Sequence, residues 1–82
     1  MKRLCAQFGL VVRTQREALA LSQEQLAERA DLNRSYLGEI ERGVAMPSLA
    51  TVIKLAAALG VTPSSLLARY EEGAPPAASI RP

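Results

Sequence analysis

Three residues, Asp31-Leu32-Asn33, separate two short helical stretches, and nothing else in the sequence constrains the fold so tightly. A connection of that length permits only a tight turn between the helices it joins. Upstream, Ser22-Gln23-Glu24-Gln25 fits a capping box, with Ser22 as N-cap and Gln25 three residues on. The helix it opens is short and buries Leu26, Ala27 and Ala30. Downstream, Asn33 is a good N-cap for a helix over residues 34–42, which stops at Gly43, the residue best suited to a left-handed C-cap.

The rest of the chain is punctuated in the same way. Leu4, Phe8, Val11, Val12, Gln15 and Leu19 follow the spacing of one helix face and predict a first helix over residues 2–20. Pro47-Ser48 opens a fourth helix, whose stripe is Leu49, Val52, Ile53, Ala56 and Leu59 and whose end is Gly60. Thr62-Pro63 starts a fifth, with Leu66, Leu67 and Tyr70 on its apolar side. No alternating run reads as a strand, so the fold class is all-α, a compact domain of five short helices over residues 1–70. From Glu71 onward Gly73, Pro75, Pro76 and Pro82 predict a flexible tail over 71–82 with no role in the core.

Composition removes most enzyme chemistry. The 82 residues contain no histidine and one cysteine, Cys5, which excludes disulfides, Cys/His zinc sites and Ser-His-Asp or Cys-His nucleophile systems. Glu24, Glu28, Glu39 and Glu41 form no arguable carboxylate pair, and no glycine-rich phosphate loop exists. The sequence therefore predicts no enzyme, no metal and no cofactor. A net charge of +2 mildly favours an acidic partner. Met1-Lys2-Arg3 and the apolar run after it have the outline of a short signal peptide. That run holds Gln7, ends at Arg13 and is followed by no small-residue cleavage site. No stretch approaches the roughly 18 apolar residues of a membrane span. A cytoplasmic protein with a reduced, buried Cys5 is expected.

The helix after the turn has two dissimilar sides. At 100° per residue, Tyr36, Leu37 and Ile40 cluster together, while Ser35, Gly38 and Arg42 lie opposite, flanked by Arg34 and Glu39. The polar side is short, carries an arginine at each end, and fits a major groove about 12 Å wide. A plain solvated surface helix has the same pattern.

Residues 21–30, then Asn33-Arg34-Ser35-Tyr36-Leu37, Ile40-Glu41-Arg42-Gly43, Pro47-Ser48-Leu49 and residues 55–61 together resemble the phage repressor/Cro type of helix-turn-helix regulator. The resemblance spans residues 4–70 and implies a lambda-repressor-like DNA-binding domain. Arg34-Ser35-Tyr36 and the chain's length are also similar to controller proteins of restriction–modification systems. Asp31 stands where the family usually has glycine, and aspartate tolerates a positive φ better than most residues.

The resemblance implies roles position by position. Gln23 matches a residue that binds a DNA phosphate with its side chain and helix-terminal amide, beside Ser22 at the same helix start. Arg34, Ser35, Gly38 and Glu39 match base-facing positions. Arg34 could bind guanine O6 and N7, Glu39 could accept from a cytosine amine, and Gly38 lets the backbone lie close to the bases. Arg42 and Arg13 are implied phosphate contacts, and Arg16 and Glu41 a structural ion pair joining the first and third helices. Leu55, Val61, Pro63, Leu66 and Leu67 exceed what so small a core should absorb, and the family commonly builds a two-fold interface in this region. The expected partners are double-stranded DNA, as a near-palindromic operator with half-sites roughly 34 Å apart, and a second copy of the chain. No ligand-binding domain is seen, so no small-molecule effector is expected. The alternative is an antitoxin or other protein-interaction module on the same fold.

Overall fold

The computed structural model describes residues 2–72, with side chains over 3–68. Five helices follow one another: α1 (Lys2–Ala18), α2 (Gln23–Arg29), α3 (Arg34–Glu41), α4 (Leu49–Leu59) and α5 (Pro63–Glu72). No strand occurs among the described residues, as the sequence predicts. Helix α5 runs to Glu72, past the point where the tail was expected to begin, and residues 73–82 lie outside the described residues.

Local chemistry explains where the helices start. Ser22 Oγ accepts from the Gln25 N–H at 3.0 Å while the Ser22 N–H donates to Gln25 Oε1 at 2.8 Å, which completes the capping box. Asn33 Oδ1 accepts from the Tyr36 N–H, Ser48 Oγ from Thr51 and Thr62 Oγ1 from Ser65. Helices α1 to α4 all stop in one manner, a Schellman motif: the N–H of a left-handed residue and the N–H after it bond back to carbonyls three and five residues earlier. The left-handed positions are Ala20, Asp31, Gly43 and Gly60. Two of the four are not glycine. Asp31 takes φ 56° in the tight turn, and Ala20 takes φ 59°. The stop at Ala20 ends α1 two residues earlier than the periodicity suggests and leaves Leu19 exposed rather than on the buried stripe.

One core serves all five helices: Phe8 and Val12 from α1, Leu26 and Ala27 from α2, Leu37 and Ile40 from α3, Val52, Leu55, Ala56 and Leu59 from α4, and Leu66 from α5. This corrects two expectations. Leu55 and Leu66, expected at a subunit interface, are fully buried within the monomer. Leu49 and Ile53, expected in the core, are 72% and 50% exposed. The inward arc of α4 is centred on Val52, Leu55 and Leu59, and Leu49 and Ile53 fall on its outer edge.

Helix α1 crosses α3 at a distance that admits no side chain. A Cβ at Gly9 would overlap the Ile40 carbonyl oxygen and lie 2.8 Å from that of Glu41. Buried Cys5 donates its thiol hydrogen to Met46 Sδ at 3.5 Å, which links α1 to the segment before α4.

Candidate nucleic-acid interface

The two sides of α3 separate cleanly. Leu37 and Ile40 are fully buried and Tyr36 is half-buried against the core, while Arg34, Ser35, Glu39 and Arg42 are exposed. The helix is thus clamped by its apolar residues and presents four polar side chains outward. Gly38 faces the same way but is not bare backbone. It is covered by polar side chains: its missing Cβ position lies 3.1 Å from Arg42 Nη1 and 3.8 Å from Gln23 Oε1.

Behind this surface stands a nearly dry charge network. Arg16 Nε donates to Glu41 Oε2 at 2.7 Å and Arg16 Nη2 to Glu41 Oε1 at 3.0 Å, a bidentate pair with side chains only 12% and 3% exposed. The third Arg16 nitrogen, Nη1, donates to the Leu21 carbonyl at 2.8 Å, so the pair fastens α1, the α1–α2 turn and α3 together. The hydrogen bonds that Arg16 donates to Glu41, together with the negative charge of that carboxylate, outweigh desolvation and raise the Arg16 pKa further above its ordinary value. Arg16 therefore stays charged, and its contribution to stability would be lost only as pH climbs through that raised value.

Gln23 belongs to the same network. Its Nε2 donates to Glu41 Oε1 at 3.0 Å, a bond between α2 and α3 that the sequence did not announce. Ser22, beside it, is exposed with its Oγ engaged by the cap. Arg13 is exposed and donates to Glu17 Oε2 at 3.1 Å, a surface pair of the kind worth about 0–1 kcal/mol and readily exchanged for another anion. On α1 it falls four residues after Gly9 and three before Arg16, the two positions that meet α3, and so shares their face. Of the residues expected at a dimer interface, Val61 and Pro63 are half-buried and Leu67 is 41% exposed.

Among the described residues no group of three or more His, Cys, Asp or Glu side chains could hold a metal ion. No helix among them is long and apolar enough to cross a membrane.

Two helices at a tight turn, with the second held by its buried side and by a charge network behind it, define a helix-turn-helix. The matching family model is described by that name, Helix-turn-helix, and covers residues 12–66. The chain belongs to this family, and with it to the DNA-binding transcriptional regulators. Within the family it is 46% identical over 61 residues to the control protein C.BamHI of Bacillus amyloliquefaciens, covering 73% of this chain and 75% of that one. It is 44% identical over 59 residues to the immunity repressor of Bacillus phage phi105, where the match covers 72% of this chain but 41% of the repressor. Among solved structures, the restriction-modification controller protein C.AhdI from Aeromonas hydrophila is similar at 45% identity and a TM-score of 0.74, over 76% of this chain and 94% of that one.

Proposed function

We propose that the chain acts as a homodimer on a near-palindromic operator, reading double-stranded DNA in sequence through α3 and regulating transcription in the cytoplasm without catalysing a reaction. The observation that carries this reading is the outward face of α3, where Arg34, Ser35 and Glu39 stand exposed on a helix whose other side is fixed in the core. Arg34 opens the helix and is the natural bidentate partner for guanine, Glu39 an acceptor for a cytosine amine, and the exposed Arg42 and Arg13 are the side chains for phosphates. One such helix reads too few base pairs to find a site in a genome, which is the reason for a second copy. The accessible apolar residues Val61, Pro63 and Leu67 support a two-fold contact near the start of α5, without Leu55 and Leu66. The likeness to control proteins and to a phage immunity repressor supports a regulator of this compact kind.

The test is selection of bound sites from random duplexes, with wild type and Arg34→Ala side by side. Arg34→Ala should cost about 1–3 kcal/mol per base contact and relax one position of each half-site, with an unchanged melting temperature. Wild-type affinity should fall about 10³-fold between 50 and 200 mM salt for some six phosphate contacts. An unchanged selected site would remove Arg34 from base reading, and a flat salt dependence would remove DNA from the proposal.

A further inference from the structure

Glu41 decides which way Gln23 points. A carboxylate can only accept, so the Gln23 amide must turn Nε2 toward Glu41 Oε1. Its carbonyl oxygen then looks the other way, onto the outer surface of α3 at Gly38. Arg42 Nη1 lies against the same spot. A pure acceptor and a pure donor are gathered over the single position of α3 that has no side chain.

We propose that Gln23 is a positioning residue for Arg42. Glu41 anchors the Gln23 amide, Gln23 Oε1 holds the Arg42 guanidinium over Gly38, and the remaining Arg42 donors meet one DNA phosphate. Gly38 supplies the space. The inference rests on reading the outer face of α3 as a DNA-contact surface. It differs from the resemblance, which implies a phosphate for Gln23 and a base for Gly38. An arginine already held in place gives up less rotamer freedom on binding than one free in solvent. Hydrogen bonds run from Arg16 through Glu41 to Gln23, and Arg42 meets the outer end of that series at Gly38, where its Nη1 and Gln23 Oε1 share one space.

The experiment measures binding of the full chain to a mixed-sequence duplex of about three helical turns, across a salt series, together with melting temperatures. Arg42→Met should weaken binding roughly tenfold per protomer and lower the salt slope by about one. Gln23→Met removes no charge but should lose most of the same factor, and the double variant should bind no more weakly than Arg42→Met alone. Losses that multiply would mean that Gln23 meets DNA by itself and would overturn the inference. Gly38→Ala should raise the melting temperature, because alanine is the better helix former, yet weaken binding in wild type and have no effect in Arg42→Met. If Gln23→Met disturbs the fold, this second pair decides, since neither Gly38 nor Arg42 belongs to the core. Independent effects overturn the inference, as does a Gly38→Ala loss confined to a selected operator. A wild-type chain that ignores the duplex, or binds it without salt dependence, sinks the DNA-contact reading before any variant is compared, and this inference with it.

Discussion

Helices α2 and α3 turn polar side chains outward, and behind them Gln23, Glu41 and Arg16 fasten the two helices to each other and to α1. Helices α4 and α5 share the same core but turn Leu49, Ile53 and Leu67 to the surface. Leu49 and Ile53 are one helical turn apart, so they form a strip and not two scattered residues. The contrast separates two ways of holding a surface in place. Hydrogen-bond readout of the kind proposed for α3 needs a helix held in a fixed place, and the network behind α3 fastens that helix to α1 and α2. An apolar surface needs only shape, and packing on one core is enough.

The comparison can be broken most forcefully at Leu67. If the α4–α5 side joins two copies, Leu67→Glu should sediment as a monomer, keep its helical content, and lose about 10²–10⁴ in operator affinity, because one protein no longer bridges two half-sites. A variant that stays dimeric moves the contact elsewhere, and Ile53→Glu, on the neighbouring strip, then becomes the informative substitution.

Glu41→Ala attacks the other half. It strands Arg16 with its partner removed and frees Gln23, and breaking a buried pair costs about 3–5 kcal/mol at the upper end. For a domain this small the melting temperature should fall by on the order of 10–20 °C, seen by circular dichroism. An unaltered melting temperature with altered site preference would make Glu41 part of the reading face and erase the distinction between support and surface.

The smallest effect is expected at Ala20, in the turn that carries α1 into α2. Ala20→Gly relieves a left-handed alanine and should stabilise by about 1 kcal/mol, several degrees of melting temperature, without altering DNA binding. A lower melting temperature would show that the turn is held by something other than its own backbone.

These regions also differ in how much the sequence discloses. Helix starts at Ser22, Asn33, Ser48 and Thr62 and stops at Gly43 and Gly60 are local, each settled by residues a few positions apart, and could be read directly. The outward side of α3 was readable for the same reason, since Leu37 and Ile40 mark its inner face. The rotation of α4 was not. Leu49, Ile53 and Leu55 are equally apolar, two overlapping arcs fit the pattern, and only packing against the other helices selects one. Gly9 was hidden in an apolar run, because its function is to have no side chain where α3 passes. The Gln23–Glu41 bond spans 18 residues, and no local signal foretells it. A glutamine with a carboxylate within reach after folding is visible only in three dimensions.

The Schellman stops bear on time as well as shape. Each closes with bonds spanning three and five residues, so α1 to α4 can find their ends before distant parts of the chain meet. Small helical domains dominated by such short-range contacts fold in microseconds to milliseconds. Synthesis at about 5–20 residues per second takes seconds for a domain of this size, so folding adds no delay of its own. If the chain works as a dimer, the slow variable is the encounter of two copies, whose rate rises with the square of their concentration. Such a protein would take its timing from how much of it has accumulated.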